Sequence, residues 1–365
     1  MRTIQMSNYT VGEDCFETIP AVLAGYRATR IVLAGGARAL AAAAPGIRAA
    51  LEDTGISIEA EVVYGTDSTQ RNVDAIADVL AQTAADAVFA IGGGKAIDTV
   101  KTAAKQHDLP VFSVPTICSN CSSATAIAVI YHDDGSFKEY AYPDAPVHIF
   151  INPAIIAEAP AEYFWAGIGD ALSKQPEVEY ATSGKDLSHT AALGLTLAHT
   201  CTEPLMEWGA EGLADVRAGH ASEAVKQIAL DIVVNTGYVS NLTNQPDFYY
   251  NSSLAHAFYN ASCGVTRSGA HHLHGEVVSF GVLVLHAYRG DDAELERYAR
   301  FNKQLGLPVT LAELDLDRSH LPQLVELAQQ TNEWKLGNPQ AFSPEAFTAA
   351  IIAADAFGQT LLEER

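Results

Sequence analysis

Cysteine is scarce in this chain, with five residues in 365. So sparse and odd a set excludes a disulfide scaffold and points to a reducing compartment. Basic residues are scarce too: Lys and Arg number 22 against 44 Asp and Glu, a formal charge of −22. A chain this acidic repels phosphate backbones and anionic lipid, which argues against nucleic acid and membrane surfaces as partners. Long apolar runs are missing. No stretch reaches the roughly 18 residues that a membrane-spanning helix needs, and Val277–His286 is among the longest. The first residues carry no apolar core of a secretory leader, so a cytoplasmic globular protein is expected.

What the chain does have is material for a core. Hydrophobic residues make up 48% and mean hydropathy is +0.06. The length suits two domains of roughly 100–200 residues each. Through the first 160 residues, short β-branched runs alternate with helical patterns. Arg30–Ala34, Ile58–Tyr64, Ala87–Ile91 and Pro110–Val114 read as strands, and Ala37–Asp53, Gln70–Ala84 and Lys95–Gln106 as helices. That alternation implies right-handed crossovers and a parallel sheet covered on both faces. Ala126–Tyr131, Ser136–Tyr140 and Val147–Ile151 read as a small hairpin-rich insertion turning at Asp133-Asp-Gly135. After Pro160, helical patterns take over: Tyr163–Tyr180, Leu187–Trp208, Ala221–Val239, Ser252–Cys263, His271–Tyr288, Asp292–Leu305 and Pro344–Thr360. The expected organisation is a nucleotide-type α/β domain over 1–160 and an all-helical domain over 161–365, with a cleft between them.

Four local patterns carry chemistry. Gly92-Gly-Gly-Lys-Ala-Ile-Asp98 follows a predicted strand and opens a predicted helix. Glycines there admit a close backbone approach, and a helix N-terminus offers free N–H groups to a pyrophosphate. It is not a P-loop, because Ala96 stands where Ser or Thr is needed and Phe89 where glycine is. It is not the Rossmann fingerprint either, because Ile97 stands where the third glycine belongs. The plain alternative is a glycine turn without a ligand. The second pattern is histidine: of 12 in the chain, His256, His271, His272 and His274 fall close together. Imidazoles on facing helices with one carboxylate make a three-ligand zinc site, against the alternative of scattered surface histidines. The third is Asp170 in the apolar run Gly167-Ile-Gly-Asp-Ala-Leu172. A carboxylate there is costly to bury unless it is paired or metal-bound, and an N-cap is the plain alternative. The fourth, Cys118-Ser-Asn-Cys121, has C-x-x-C spacing but neither a second pair nor a thioredoxin-like context.

Taken in order, these segments resemble the iron-containing alcohol dehydrogenase superfamily, specifically its glycerol dehydrogenase-like branch. The resemblance rests on Gly92–Asp98, on Val114-Pro-Thr-Ile117 with Val129-Ile-Tyr131, on Gly167–Leu172, on Ala255-His256 and on His274-Gly-Glu276. It implies a metal-dependent oxidoreductase using NAD or NADP on a small-molecule substrate, in a homo-oligomer. It implies Asp170, His256 and His274 as ligands of a divalent metal. Iron-dependent members add a histidine where this chain has Lys174, so the resemblance favours zinc. It places Gly93, Gly94, Lys95 and Asp98 at the pyrophosphate, and Thr116, Ser119, Thr125, Ile127 and Tyr131 at the nicotinamide half. His271, or a water chain, would relay the proton. Glycerol dehydrogenases carry an aspartate where this chain has Cys121, and the related hydroxycarboxylate dehydrogenase group carries cysteine. The expected substrate is therefore a 2-hydroxy acid, with a polyol such as glycerol as the alternative and an inactive dinucleotide sensor as a second. The first nucleotide strand ends in Ala34-Gly35-Gly36 with no acidic residue, so nothing there would repel the 2′-phosphate of NADP. Dehydroquinate synthases share the architecture, but their phosphorylated substrate needs a denser basic pocket than Lys174, Lys185, Arg217, Lys226 and Arg267 provide.

Overall fold

The structure is a computed structural model that describes residues 3–265 and 272–364. The chain divides into two compact units, Met1–Ala161 with Ala214–Asn241, and Glu162–Leu213 with Leu242–Arg365.

The first unit is built on a parallel sheet. Strands β1 (Asn8–Val11), β2 (Arg30–Gly35), β3 (Ser57–Val63), β4 (Ala87–Gly92) and β5 (Val111–Pro115) are followed by β6 (Ala128–Tyr131), β7 (Phe137–Ala141) and β8 (His148–Ile151). The six-stranded sheet runs β1-β8-β5-β4-β2-β3, and β6 and β7 form a separate antiparallel pair. The pleat splits the apolar side chains between two faces. Ile31, Leu33, Phe89, Ile91, Phe112, Val114 and Phe150 pack on one side, with the helices Ile19–Tyr26 and Ala37–Leu51. Val32, Ala34, Val88, Ala90 and Val111 pack on the other, with Gln70–Thr83 and Gly94–Lys105. Each buried Val, Leu, Ile or Phe among them contributes about 1.5–3 kcal/mol. Phe89 lies at the centre, its ring 5.3 Å from that of Phe112 and 6.0 Å from that of Phe150.

One expectation needs correction here, and one strand was not expected. Val147–Ile151 does not belong to the hairpin, because β8 enters the main sheet between β1 and β5. All four of its residues are buried, as in a central strand. Strand β1 had no apolar run to announce it: Asn8–Val11 is a half-exposed edge strand.

Residues Ala214–Asn241 also return to the first unit, which a single boundary near Pro160 does not provide for. Ala224, Val225, Ile228, Ala229, Ile232 and Val233 are buried, and Asn241 donates to Ala124 O (2.8 Å) and accepts from Ala126 N (2.9 Å). Glu223–Leu230 and Thr236–Thr243 are α-helical and are joined by one π-helical turn, Asp231–Asn235.

The second unit is helical in its long elements, with one two-residue β-ladder at Asn244–Gln245 and Phe248–Tyr249. Its axis is the helix His274–Arg289, buried almost continuously from Gly275 to His286. A helix apolar on all sides belongs inside a bundle. No helix among the described residues is long and apolar enough to cross a membrane.

Candidate active site

The first unit's predicted cofactor residues gather at the carboxyl ends of its strands. From β2 the sheet extends to β3 on one side and to β4 on the other. Ligands bind in the crevice at such a switch point. The loop after β2 starts at Gly35-Gly36, where a Cβ on Gly35 would meet Ile91 O at 2.1 Å. The loop after β4 starts at Gly92, whose φ of +146° only glycine adopts without strain. Gly94 then opens the helix Gly94–Lys105, and the first N–H groups of a helix have no acceptor within it.

Lys95 Nζ pairs with Asp67 at 3.0 Å and lies 5.2 Å from the ring centroid of Tyr131. Thr116 N donates to Gly92 O at 3.2 Å, tying the ends of β4 and β5 together, and Ser119 lies half-buried a little further on. Thr125 and Ile127 lie in the loop before β6. Asp98 is different. It is 7% exposed, and its carboxylate is engaged by Val129 N and by Lys101.

Cys121 is half-buried at the start of the turn Ser122–Ala124, 3.6 Å from where a Cβ on Gly237 would lie. None of the five cysteines forms a disulfide. Cys118 is buried, and burial with Asp231 nearby pushes its thiol far up, so it is a poor nucleophile.

The second unit brings Asp170, His256 and His274 together. One ligand atom from each falls within 4.8 Å of the others. His274 Nε2 is 3.0 Å and His256 Nε2 3.6 Å from Asp170 Oδ1. Two glycines permit this. A Cβ on Gly275 would lie 1.7 Å from Ala166 O and 2.7 Å from Asp170 N, so the helices Ala161–Ala171 and His274–Arg289 touch backbone to backbone. A Cβ on Gly281 would lie 2.5 Å from Ala255 O, which draws in the helix Leu254–Val265 carrying His256.

Asp170 is not the N-cap that its type suggests. It sits near the C-terminal end of its helix, where the helix dipole disfavours a negative charge. Burial disfavours that charge too, yet His274 and His256 outweigh both and hold the carboxyl well below the usual range. Burial opposes charge on His256, but Glu177 and Asp170 push its pKa up to about 10.

Glu177 carries no sequence motif. It is fully buried, and it accepts from Ser253 N (2.7 Å), His256 N (3.0 Å) and His256 Nδ1 (2.6 Å). Nothing in the sequence marks it beyond its place seven residues after Asp170, since its helix also carries Lys174, Gln175 and Glu179. Other candidates are occupied elsewhere. His272 braces Glu276 (2.8 Å) and Asp315 (3.2 Å), and Lys174 donates to Asn251 Oδ1 (2.8 Å). His271 lies outside the described residues.

Comparison with known proteins identifies the family. The family described as "Iron-containing alcohol dehydrogenase" matches residues 7–153. The chain is 32% identical to a glycerol dehydrogenase of Pseudomonas putida over 329 residues, 87% of each chain. It is 30% identical to hydroxycarboxylate dehydrogenase A of Escherichia coli over 74% of this chain and 75% of the relative. The crystal structure of glycerol dehydrogenase from Schizosaccharomyces pombe shares the fold, with a TM-score of 0.88 at 23% identity, covering 100% of this chain and 93% of the other. The chain belongs to the iron-containing alcohol dehydrogenase superfamily, in its glycerol dehydrogenase-like branch. It is an NAD(P)-dependent dehydrogenase acting on CH–OH groups of small molecules, in a metal-dependent family.

Proposed function

We propose that this chain interconverts a small hydroxy compound and its carbonyl form, with zinc held by Asp170, His256 and His274 and NAD or NADP on the glycine turn of the first unit. The observation that carries the reading is the convergence of that trio. One carboxylate and two imidazoles make a donor set suited to a divalent transition metal. Lys174, where iron-dependent relatives add a histidine, is held by Asn251, which leaves the three-donor zinc pattern. Once bound, the nicotinamide supplies the hydride partner and the metal a Lewis acid that lowers the hydroxyl pKa.

The chain's own residues do the rest. Glu177 takes the Nδ1 proton of His256 as a hydrogen bond and so leaves Nε2 aimed at the centre. The Tyr259 and His274 rings meet edge to face, their centroids 4.2 Å apart, which limits rotation of His274. Asp170 brings the negative charge that favours a cation. His274 is the most exposed of the three, 38% for its side chain, so the trio is open on its side. The test is metal content by mass spectrometry alongside NADH and NADPH turnover. A chain that binds no stoichiometric metal and turns over no hydroxy compound would be the dinucleotide sensor instead.

Two substrate readings have support. The relatives named glycerol dehydrogenase favour glycerol. Cys121, standing where polyol-specific relatives carry aspartate, favours a 2-hydroxy acid. A carboxylate at 121 would repel an anionic substrate roughly 4–6 Å away by a few kcal/mol at an effective dielectric of about 20. That corresponds to about a hundredfold in kcat/KM. Cys121→Asp, assayed with glycerol and 2-oxobutyrate, decides between them. A ratio within about threefold of wild type leaves the glycerol reading standing.

A further inference from the structure

The strongest unassigned feature is a buried ion pair beneath the loop leading to β6. The Lys101 side chain is 0% exposed. Its ammonium donates to the carbonyl oxygens of Ser122 (2.9 Å), Thr125 (3.1 Å) and Ile127 (2.7 Å). Asp98, one helical turn earlier, lies 3.0 Å from the same ammonium through Oδ1 and accepts the Val129 N–H at 2.9 Å through Oδ2. Three carbonyls and one amide between Ser122 and Val129 are therefore fixed by two side chains of a single helix. Between the short turn Ser122–Ala124 and the start of β6, residues 125–127 belong to no element and have no ladder of their own to define them.

Burying an ammonium and a carboxylate is costly, and apolar side chains of like volume are often as stable. What an apolar pair cannot do is gather carbonyls that point inward from an irregular loop. An ammonium has three donors and can.

We propose that Asp98 and Lys101 are positioning residues for the coenzyme, setting the loop and the start of β6 that together present Thr125, Ile127 and Tyr131 to its nicotinamide half. The inference rests on reading the first unit as the dinucleotide site. It gives Asp98 an action through the loop in place of direct contact with the pyrophosphate.

The test uses full-length, metal-loaded Lys101→Gln and Asp98→Asn, each titrated with NADH and with ADP-ribose, which lacks the nicotinamide. NADH affinity should fall roughly tenfold, equivalent to about 1.4 kcal/mol, while ADP-ribose affinity stays within about twofold. Equal losses for both ligands, or no loss for either, would overturn the proposal, since a merely structural role does not single out one half of the coenzyme. Where a variant does not fold, amide exchange in the wild-type chain decides. NADH, and not ADP-ribose, should slow exchange across Val129–Tyr131, and equal slowing by both, or none, overturns the proposal. A wild-type chain that binds neither ligand refutes the dinucleotide reading itself, a separate failure from loss of the nicotinamide preference.

Discussion

Glu177 shows how much of the proposed metal site lies outside its candidate ligands. Its carboxylate meets two N–H groups at the start of the helix that carries His256, and it also holds that residue's ring. A charged acceptor at a helix N-terminus is favoured by the dipole and by charge-assisted hydrogen bonds. Glu177→Gln keeps the shape and removes the charge. Metal affinity should then fall about 10–100-fold, the usual cost of losing an outer-shell partner. Competition with a chromophoric chelator measures it, and unchanged affinity would make Glu177 a packing residue only.

His286 makes a different point, about stability. It is 2% exposed, and neither ring nitrogen has a hydrogen-bond partner among the described residues. Burial first, then Arg289 and Arg297 against Asp291, lowers its pKa to about 4. The unfolded chain, with an ordinary histidine pKa of about 6.5, takes up this proton first as pH falls. Stability from this residue is therefore full above pH 6.5 and is lost between there and pH 4, by up to about 3 kcal/mol. Urea denaturation of wild type and His286→Leu at pH 7.5 and pH 4.5 checks the sign: the variant should gain relative to wild type at the lower pH.

At the scale of elements, the contact of two helices decides whether the three candidate ligands meet. Gly275→Ala would put a methyl where Ala166 O already lies. Because both atoms belong to backbone-anchored positions, the helices must separate, and a shift of that kind moves His274 off Asp170. Tight metal binding should be lost by tenfold or more, while the helical signal in circular dichroism stays within roughly a tenth of wild type. Retained affinity would show that the crossing tolerates a Cβ.

The periodicity announced most of the long helices, and Asp292–Leu305 lies where it placed it. It ran Tyr163–Tyr180 together, whereas the chain forms Ala161–Ala171 and Lys174–Thr182. The break comes at Ser173, whose N–H and hydroxyl both bond Asp170 O, at 3.1 and 2.7 Å. Periodicity reports which face is apolar and does not register such a local cap. For the same reason the pattern reads Asp170 as lying at a helix start, whereas it lies near a helix end. The histidine cluster was visible in composition, but which of its members converge depends on glycine crossings that no pattern states.

For the whole molecule, the alternation of strand and helix made the α/β unit legible. It did not show that Ala214–Asn241 returns to that unit, because a helix in either unit has the same apolar stripe. All three metal-ligand candidates lie in the other unit, which gives metal binding a localised thermodynamic effect. A ligand that binds only the folded state stabilises it by RT ln(1 + [L]/Kd), about 4 kcal/mol at a thousandfold excess over Kd. A unit of this size shifts its Tm by roughly 2–4 °C per kcal/mol. Saturating zinc should therefore raise the midpoint of the metal-stripped chain by roughly 8–16 °C. In His274→Ala that increment should nearly vanish, because two donors bind far more weakly than three. Scanning calorimetry of both proteins with and without zinc decides the matter without reference to turnover. An equal increment in wild type and variant would place the stabilising metal elsewhere and remove the trio as its site.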